Sequence, residues 1–275
     1  MNQELIPQDV PQVGGWALIL GASSGFGEAA AVAFAKAGMN IVGVHLDRRA
    51  TQENADRVVR QIQALGRQAW FFNVNAADPE RRREVLQEVA RRFDARGEQE
   101  RLRVLLHSLA FGTLRPLIAE DPDEQANQKQ LEMTLDVMGN SLVYWTQDCV
   151  SCALLGRDSR VFAMTSSGAT AAWKGYGAVS AAKCALESHI RQLALELAPL
   201  GVTANAICAG VTDTPALRKI PQSAKMLEMA LARNPMGRVT RPEDVAATLV
   251  VLSHPATYWM TGNTICVDGG EMHAG

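Results

Sequence analysis

The sequence predicts an α/β fold: a single doubly wound parallel sheet with helices on both faces. Three observations carry that reading. Short, nearly continuous apolar runs alternate with amphipathic segments of helical length. A glycine-rich turn joins the first run to the first helical segment. No Pro/Gly/Ser-rich linker and no internal repeat divides the 275 residues.

The elements follow in order. Trp16–Leu20 (WALIL), bounded by glycines, reads as the first strand. The alanine-rich Gly25–Ala37 reads as a helix that stops at Gly38. Ile41–Leu46 is a strand, Thr51–Leu65 a helix ended by Gly66, Gln68–Val74 a strand and Pro79–Phe93 a charged amphipathic helix. After the strand Leu102–Leu106, a polar stretch, Glu120–Gln130, leads into a helix near Leu131–Leu155. The strand Arg160–Thr165, a helix near Tyr176–Ala198, and the strands Thr203–Ile207 and Thr264–Val267 complete the pattern. Strands this apolar need cover on both faces, and right-handed crossovers then give a Rossmann-type sheet. One domain is expected over residues 1–275, with an amino-terminal tail at 1–13. Segment 211–238, with Pro215, Pro221 and Pro235, breaks the regularity after a strand end, where ligands bind in such sheets. It reads as a mobile substrate-covering segment or as an ordinary surface insertion.

Composition narrows the function classes. Hydrophobic residues make up 47% and charged residues 20%, which is globular and excludes disorder as the main state. Twenty-seven basic against 29 acidic residues leave −2, with no electrostatic footprint for nucleic acid or an anionic membrane. The start of the chain lacks the basic and apolar regions of a signal peptide, and the longest strongly apolar stretch, near Val245–Leu252, is far short of a membrane span. A cytoplasmic protein is expected. Five cysteines, an odd number, argue against a secreted disulfide framework. Cys149 and Cys152 form a C-x-x-C, but inside a helical segment with no second pair or histidine nearby; they read as buried free thiols, and no metal is expected. The chain has only three tyrosines and six lysines, so a site using a phenol and an ammonium has few candidates.

The turn Gly21-Ala22-Ser23-Ser24-Gly25-Phe26-Gly27 has the strand–turn–helix context in which backbone amides and a helix dipole hold a pyrophosphate. After the second strand comes His45-Leu46-Asp47-Arg48-Arg49. A carboxylate there would accept bonds from a ribose 2′-hydroxyl, whereas arginines would favour a 2′-phosphate.

The G-x-x-x-G-x-G spacing resembles the short-chain dehydrogenase/reductase superfamily, and the resemblance runs over roughly residues 14–270. It implies an NAD(P) cofactor. His45 stands where the family's NAD-selecting acid usually lies, and Asp47 slightly later. Ser24 replaces the basic residue that many NADP-dependent members carry. Arg48 and Arg49 point to NADPH, with NADH as the alternative, and Asn73-Val74 matches the family's adenine contact. The usual Tyr-x-x-x-Lys pair is broken: counting back from Lys183, the tyrosine position is Val179. Tyr176 instead gives Tyr-x6-Lys, with residues 176, 179 and 183 on one helix face. Ser166 holds the family's serine position and also reads as a loop-capping hydroxyl.

Tyr-x6-Lys resembles the enoyl-acyl-carrier-protein reductase branch. So do His107-Ser108-Leu109-Ala110-Phe111 and Cys208-Ala209-Gly210-Val211-Thr212-Asp213-Thr214, the latter near nicotinamide and pyrophosphate in that branch. Val267-Asp268-Gly269-Gly270 matches the superfamily's last strand end, and Asp136 stands where ordinary relatives carry a relay asparagine. Ser166-Ser167-Gly168 and residues 213–221 resemble the enoyl reductase III subgroup, which uses NADPH. The resemblance implies reduction of a trans-2-enoyl thioester on acyl carrier protein, in fatty acid synthesis. Tyr176 would stabilise the enolate, Lys183 would hold the cofactor ribose, and the assembly would be a homotetramer. His107 reads as a packed histidine rather than a catalytic acid, and Trp173 and Phe111 as either acyl-channel or core residues. Two other functions stay open: a carbonyl or hydroxysteroid dehydrogenase, which Ser166 suits and Val179 opposes, and a non-catalytic nucleotide-binding regulator, which the Tyr176–Lys183 pair opposes.

Overall fold

A computed structural model describes residues 11–95 and 101–274. Seven strands form one parallel sheet in the order β3-β2-β1-β4-β5-β6-β7. They are β1 (Trp16–Leu20), β2 (Asn40–His45), β3 (Ala69–Asn73), β4 (Leu102–His107), β5 (Arg160–Ser166), β6 (Thr203–Ala209) and β7 (Thr264–Val267). The expected Rossmann-type architecture is the observed one. Residues 1–10 of the expected tail lie outside the described residues, while Val13 N donates to Ala37 O at 2.9 Å.

Two apolar layers sandwich the sheet. On one face, α1 (Gly25–Lys36), α2 (Gln52–Ala64) and α8 (Pro242–Leu252) bury Phe34, Ile62 and Leu249 against Ile19 and Phe162. On the other, α3 (Pro79–Asp94), α5 (Ser141–Ser151) and α6 (Gly177–Leu197) bury Leu86, Trp145 and Ile190 against Leu18 and Val161. Each strand therefore needs apolar residues in both directions, which is why β1 is buried at all five positions.

Strand order reverses between β1 and β4. Chain crossovers leave in opposite directions there and open a crevice at the carboxyl ends of the strands. Backbone crowding shapes that crevice. Gly21 follows β1 with φ +89°, and a Cβ on it would lie 2.4 Å from Ser108 O. On Gly27 a Cβ would lie 2.0 Å from Gly21 O.

The long helix expected near 131–155 is interrupted. It consists of α4 (Gln128–Leu135), a π-helical turn over Asp136–Asn140, and α5. Ser141 Oγ donates back to Val137 O at 2.7 Å inside this turn. Gly139 brings its backbone close to α6, where a Cβ would meet Ala182 O at 3.1 Å. Packing against α6, rather than local propensity, sets the irregularity. Segment 211–238 is also more regular than expected, because it contains α7 (Ser223–Arg233) between Pro221 and Pro235. Its prolines bound a helix instead of excluding one. The apolar run at 245–252 belongs to α8, which starts with Pro242 and carries Glu243 and Asp244 in its first turn.

Gly27→Ala forces a methyl group against the Gly21 carbonyl, so the turn has to shift. The expected cost is about 1–3 kcal/mol, a fall in Tm of roughly 3–10 °C for a chain of this size. Thermal denaturation checks it, and an unchanged Tm would contradict the close approach.

Candidate active site

The glycine turn ends at Ser24, the N-cap of α1, whose side chain makes no capping hydrogen bond. The first amides of α1 are therefore left without a side-chain partner at the crevice, and the helix dipole adds positive potential there. Gly25 opens the helix with φ +57°. This arrangement fits the pyrophosphate of a dinucleotide, which would supply the missing acceptors.

At the end of β2, Asp47 and His45 form a pair, with His45 Nδ1 2.8 Å from Asp47 Oδ2. Partial burial works to raise the Asp47 pKa, but hydrogen bonds from Thr51, Ser23 and His45 together hold it below its ordinary value. Asn73 clips the same loop: it donates to Asp47 O at 2.9 Å and accepts from Asp47 N at 3.0 Å. Its amide also donates to Gln52 at 2.9 Å, so in this structure it serves the loop. Val74 packs on the core instead of standing free. Arg48 and Arg49 are exposed, and no ion pair among the described residues involves them.

A cavity of about 370 Å³ opens beside the switch point. Ser166, Tyr176 and Lys183 all line it, together with Phe26, Ser108, Leu109, Ala110, Gly210, Thr212 and Thr214. Ser166 ends β5, and its Oγ lies 3.4 Å from Tyr176 OH. Tyr176 is the N-cap residue of α6 rather than a member of its first turn. Gly168 makes room for the ring: a Cβ there would stand 2.3 Å from Tyr176 Cε1. Burial raises the phenol pKa, partly countered by the Ser166 hydroxyl, so the proton stays on at neutral pH. Val179 is buried with Met138 and Ala182, and Tyr176 packs at the margin of this cluster. The position three residues after Tyr176 is thus an apolar wall.

Lys183 is 5% exposed, and its Nζ donates to Met164 O at 2.6 Å. Burial lowers its pKa to about 8, against a smaller opposing effect of Glu187. His107, the last residue of β4, is fully buried, and its Nε2 lies 2.9 Å from Ser141 Oγ. Because Ser141 already donates to Val137 O, His107 is the donor in that contact. Burial and the Lys183 charge push its pKa down to about 3. It is a neutral, packed histidine in this structure, in line with the structural reading of its sequence position.

Other expected residues divide. Trp173 and Phe111 line the cavity, and Phe111 is exposed. Asp136 opens the π-helical turn and does not reach the cavity wall. Cys149 is buried, whereas Cys152 is only half-buried; both are free thiols. Among the described residues no group of three His, Cys, Asp or Glu could hold a metal, and no helix is long and apolar enough to cross a membrane.

Two contributions were not legible in the sequence. Met226 and Met229 of α7 line the cavity, which required knowing that 211–238 holds a helix. Glu271 is buried at the same wall, with its Oε2 3.2 Å from Val211 N. Burial raises its pKa. Only the preceding Asp268-Gly269-Gly270 turn hinted at a tight return there.

Comparison with known proteins gives a consistent picture. A family profile described as Enoyl-(Acyl carrier protein) reductase matches residues 21–272. A 3-oxoacyl-(acyl-carrier-protein) reductase of Thermotoga maritima is 25% identical, over 92% of this chain and 96% of its own. The 1-cyclohexenylcarbonyl-CoA reductase of Streptomyces collinus is 26% identical, over 92% and 85%. Among solved structures, a short-chain dehydrogenase from Burkholderia cenocepacia in complex with NADP is 25% identical, with a TM-score of 0.80, and the match covers 95% of this chain and 99% of that one.

Tyr176→Phe is expected to lower turnover by roughly 10²-fold or more, the scale for losing one oxyanion donor, while cofactor affinity is kept. Steady-state kinetics beside a cofactor titration checks both, and unchanged turnover would refute the role. Lys183 carries its proton below about pH 8 and loses it above. Cofactor affinity should therefore fall as pH rises through that value. Lys183→Met should bind more weakly with no such pH dependence, as read by fluorescence titration.

Proposed function

We propose that this chain, which belongs to the short-chain dehydrogenase/reductase superfamily and is an oxidoreductase, reduces trans-2-enoyl thioesters with NADPH. The observation that carries the reading is the position of the phenol. Tyr176 lines the cavity with its OH 3.4 Å from Ser166 Oγ, while position 179, where ketone-reducing relatives carry tyrosine, is a valine on the same cavity wall and cannot donate a proton. The name of the Streptomyces collinus relative describes an α,β-unsaturated thioester, which supports the same substrate class.

The nicotinamide, when bound, supplies the hydride. Every other contribution belongs to the chain. The uncapped amides of α1 and the turn Gly21–Gly27 hold the pyrophosphate. Lys183, fixed by Met164 O, holds the nicotinamide ribose and adds positive charge to the site. Ser108, Leu109, Ala110, Gly210, Thr212 and Thr214 line the cofactor side of the cavity. Tyr176 donates a hydrogen bond to the thioester oxygen as negative charge grows there, and its high pKa keeps that proton available. Ser166, 3.4 Å away, orients the phenol. Met226 and Met229 face an acyl chain and exclude water.

Arg48 and Arg49 carry the NADPH preference because both are exposed and unpaired, so a 2′-phosphate can engage them. Asp47 opposes it, though its carboxylate is turned onto His45. The acyl group arrives on acyl carrier protein, and segment 211–238 covers the bound substrate. The enzyme assembles as a homotetramer through the last helices and strands. The exposed Tyr258 and Trp259, the latter 84% accessible, support burial of that edge between copies.

A second reading, carbonyl reduction, is favoured by the Ser166–Tyr176 contact, which would present two hydroxyls to a ketone oxygen. Following cofactor absorbance with crotonyl thioester and with a panel of ketones separates the two. Enoyl turnover should exceed ketone turnover, and NADPH should exceed NADH. Ketone turnover without enoyl turnover would sink the enoyl reading.

A further inference from the structure

The amino ends of the strands, opposite the candidate active site, hold a second concavity of about 200 Å³. It lies between Val13–Gly15, Arg101–Arg103 and Arg157–Ser159. The five residues of β1 separate it from the glycine turn by about 16 Å.

Four arginines gather there. Arg101, Arg103 and Arg157 line the groove, and Arg160 opens β5 directly behind it. Arg160 is 1% exposed. Its Nη1 donates to Asp158 O at 3.0 Å and Ser159 O at 3.3 Å, carbonyls of residues that form the groove wall. Its Nε and Nη2, and the Nε of Arg103, are buried without a hydrogen-bond partner among the described residues. Arg103 donates its Nη2 to Ser253 O at 3.5 Å, a carbonyl just past α8. The Arg101 guanidinium lies over Gly156, where a Cβ would stand 2.0 Å from Nη1.

Among the described residues counter-charge is scarce. Among the described residues, none of the four forms an ion pair with a carboxylate. Asp158 is the one acidic residue among the described residues of the groove wall, and it is exposed. Burial lowers the Arg160 pKa, and the nearby Arg103 adds to that lowering, so the two cations repel. A buried guanidinium with unpaired N–H groups is costly unless an anion offsets it. The planar fork of arginine matches phosphate oxygens two at a time.

We propose that this groove is a binding site for a small phosphorylated ligand, whose phosphate is held by Arg101, Arg103 and Arg157 and compensates the buried Arg160. At about 200 Å³ the groove has room for a phosphate group together with a small organic remainder. The catalytic reading uses none of these residues.

Calorimetric titration of the full chain tests the site, with orthophosphate, glycerol 1-phosphate and pyrophosphate against chloride at fixed ionic strength. Saturable binding is expected. In Arg101→Gln/Arg157→Gln, where both side chains are exposed, it should weaken roughly tenfold or more, the scale of about 1.4 kcal/mol, while basal turnover stays unchanged. Tighter binding of glycerol 1-phosphate than orthophosphate identifies organic phosphomonoesters as the ligand; the reverse identifies free phosphate. Absence of saturable binding, or equal binding in the double variant, overturns the proposal. Loss of binding in Arg48→Gln/Arg49→Gln with none in the groove variant would put the phosphate at the cofactor site and overturn it equally.

Discussion

The close approach of the first turn to the end of β4 governs the rest of the molecule. Gly21 touches the Ser108 carbonyl, and Gly27 touches Gly21, so neither position has room for a side chain. That contact brings α1 down onto the strand ends and aims its uncapped amides into the crevice. It also sets Ser108, Leu109 and Ala110 as the near wall of the cavity. The parallel sheet creates the switch point, but glycine makes it narrow enough to hold a ligand by its backbone.

The charges around the cavity are arranged by burial. Among the described residues Lys183 is the one buried cation of the wall, anchored by a carbonyl rather than by a carboxylate. Desolvation therefore acts on it with little opposition and brings its pKa near neutrality. His107, close enough to feel that charge, is kept neutral and spends its proton on Ser141. Tyr176 is pushed the other way and keeps its proton. The site thus holds one titrating cation, one neutral imidazole and one neutral phenol at pH 7. A hydrogen-bond donor and a positive charge are both present at the cavity wall.

Much of this was readable from residue order because the determinants are local. All seven strands lie within one or two residues of their expected bounds because their apolar runs are short and set off by polar or glycine residues. Ser166, Tyr176 and Lys183, which the family resemblance singles out, line one cavity, and the glycine turn adds Phe26 to its wall. What stayed hidden depends on long-range packing. The π-helical turn at 136–140 follows from contact between Gly139 and α6, which no window of sequence contains. The prolines around α7 read as disorder of pattern when they are its boundaries. Asn73 matched a cofactor contact by position, yet its amide is taken up by Asp47 and Gln52. Glu271 reaches the wall from sixty residues beyond Val211, through a turn whose geometry is set by Asp268.

Moving the phenol from position 179 to 176 does more than shift it by one helical turn. Position 179 lies inside α6, where helix geometry alone would fix the side chain. Position 176 is the cap residue, held by Trp173 O through its backbone and by the space left at Gly168. The loop before α6 therefore shares with the first turn of the helix, where Ser180 N donates to Tyr176 O at 2.8 Å, in placing Tyr176. The same loop carries Trp173, whose Nε1 lies 3.5 Å from Pro221 O in the 211–238 segment. Tyr176 is thus joined through one short loop to a part of the chain that also lines the cavity. In the Tyr-x-x-x-Lys arrangement that link would be absent, because the phenol would ride on the rigid helix. Here a change in that segment can reach the phenol without touching Lys183, which is held independently by β5. The contact that fixes Lys183 on β5 and the contacts that place Tyr176 ahead of α6 are thus distinct in this structure.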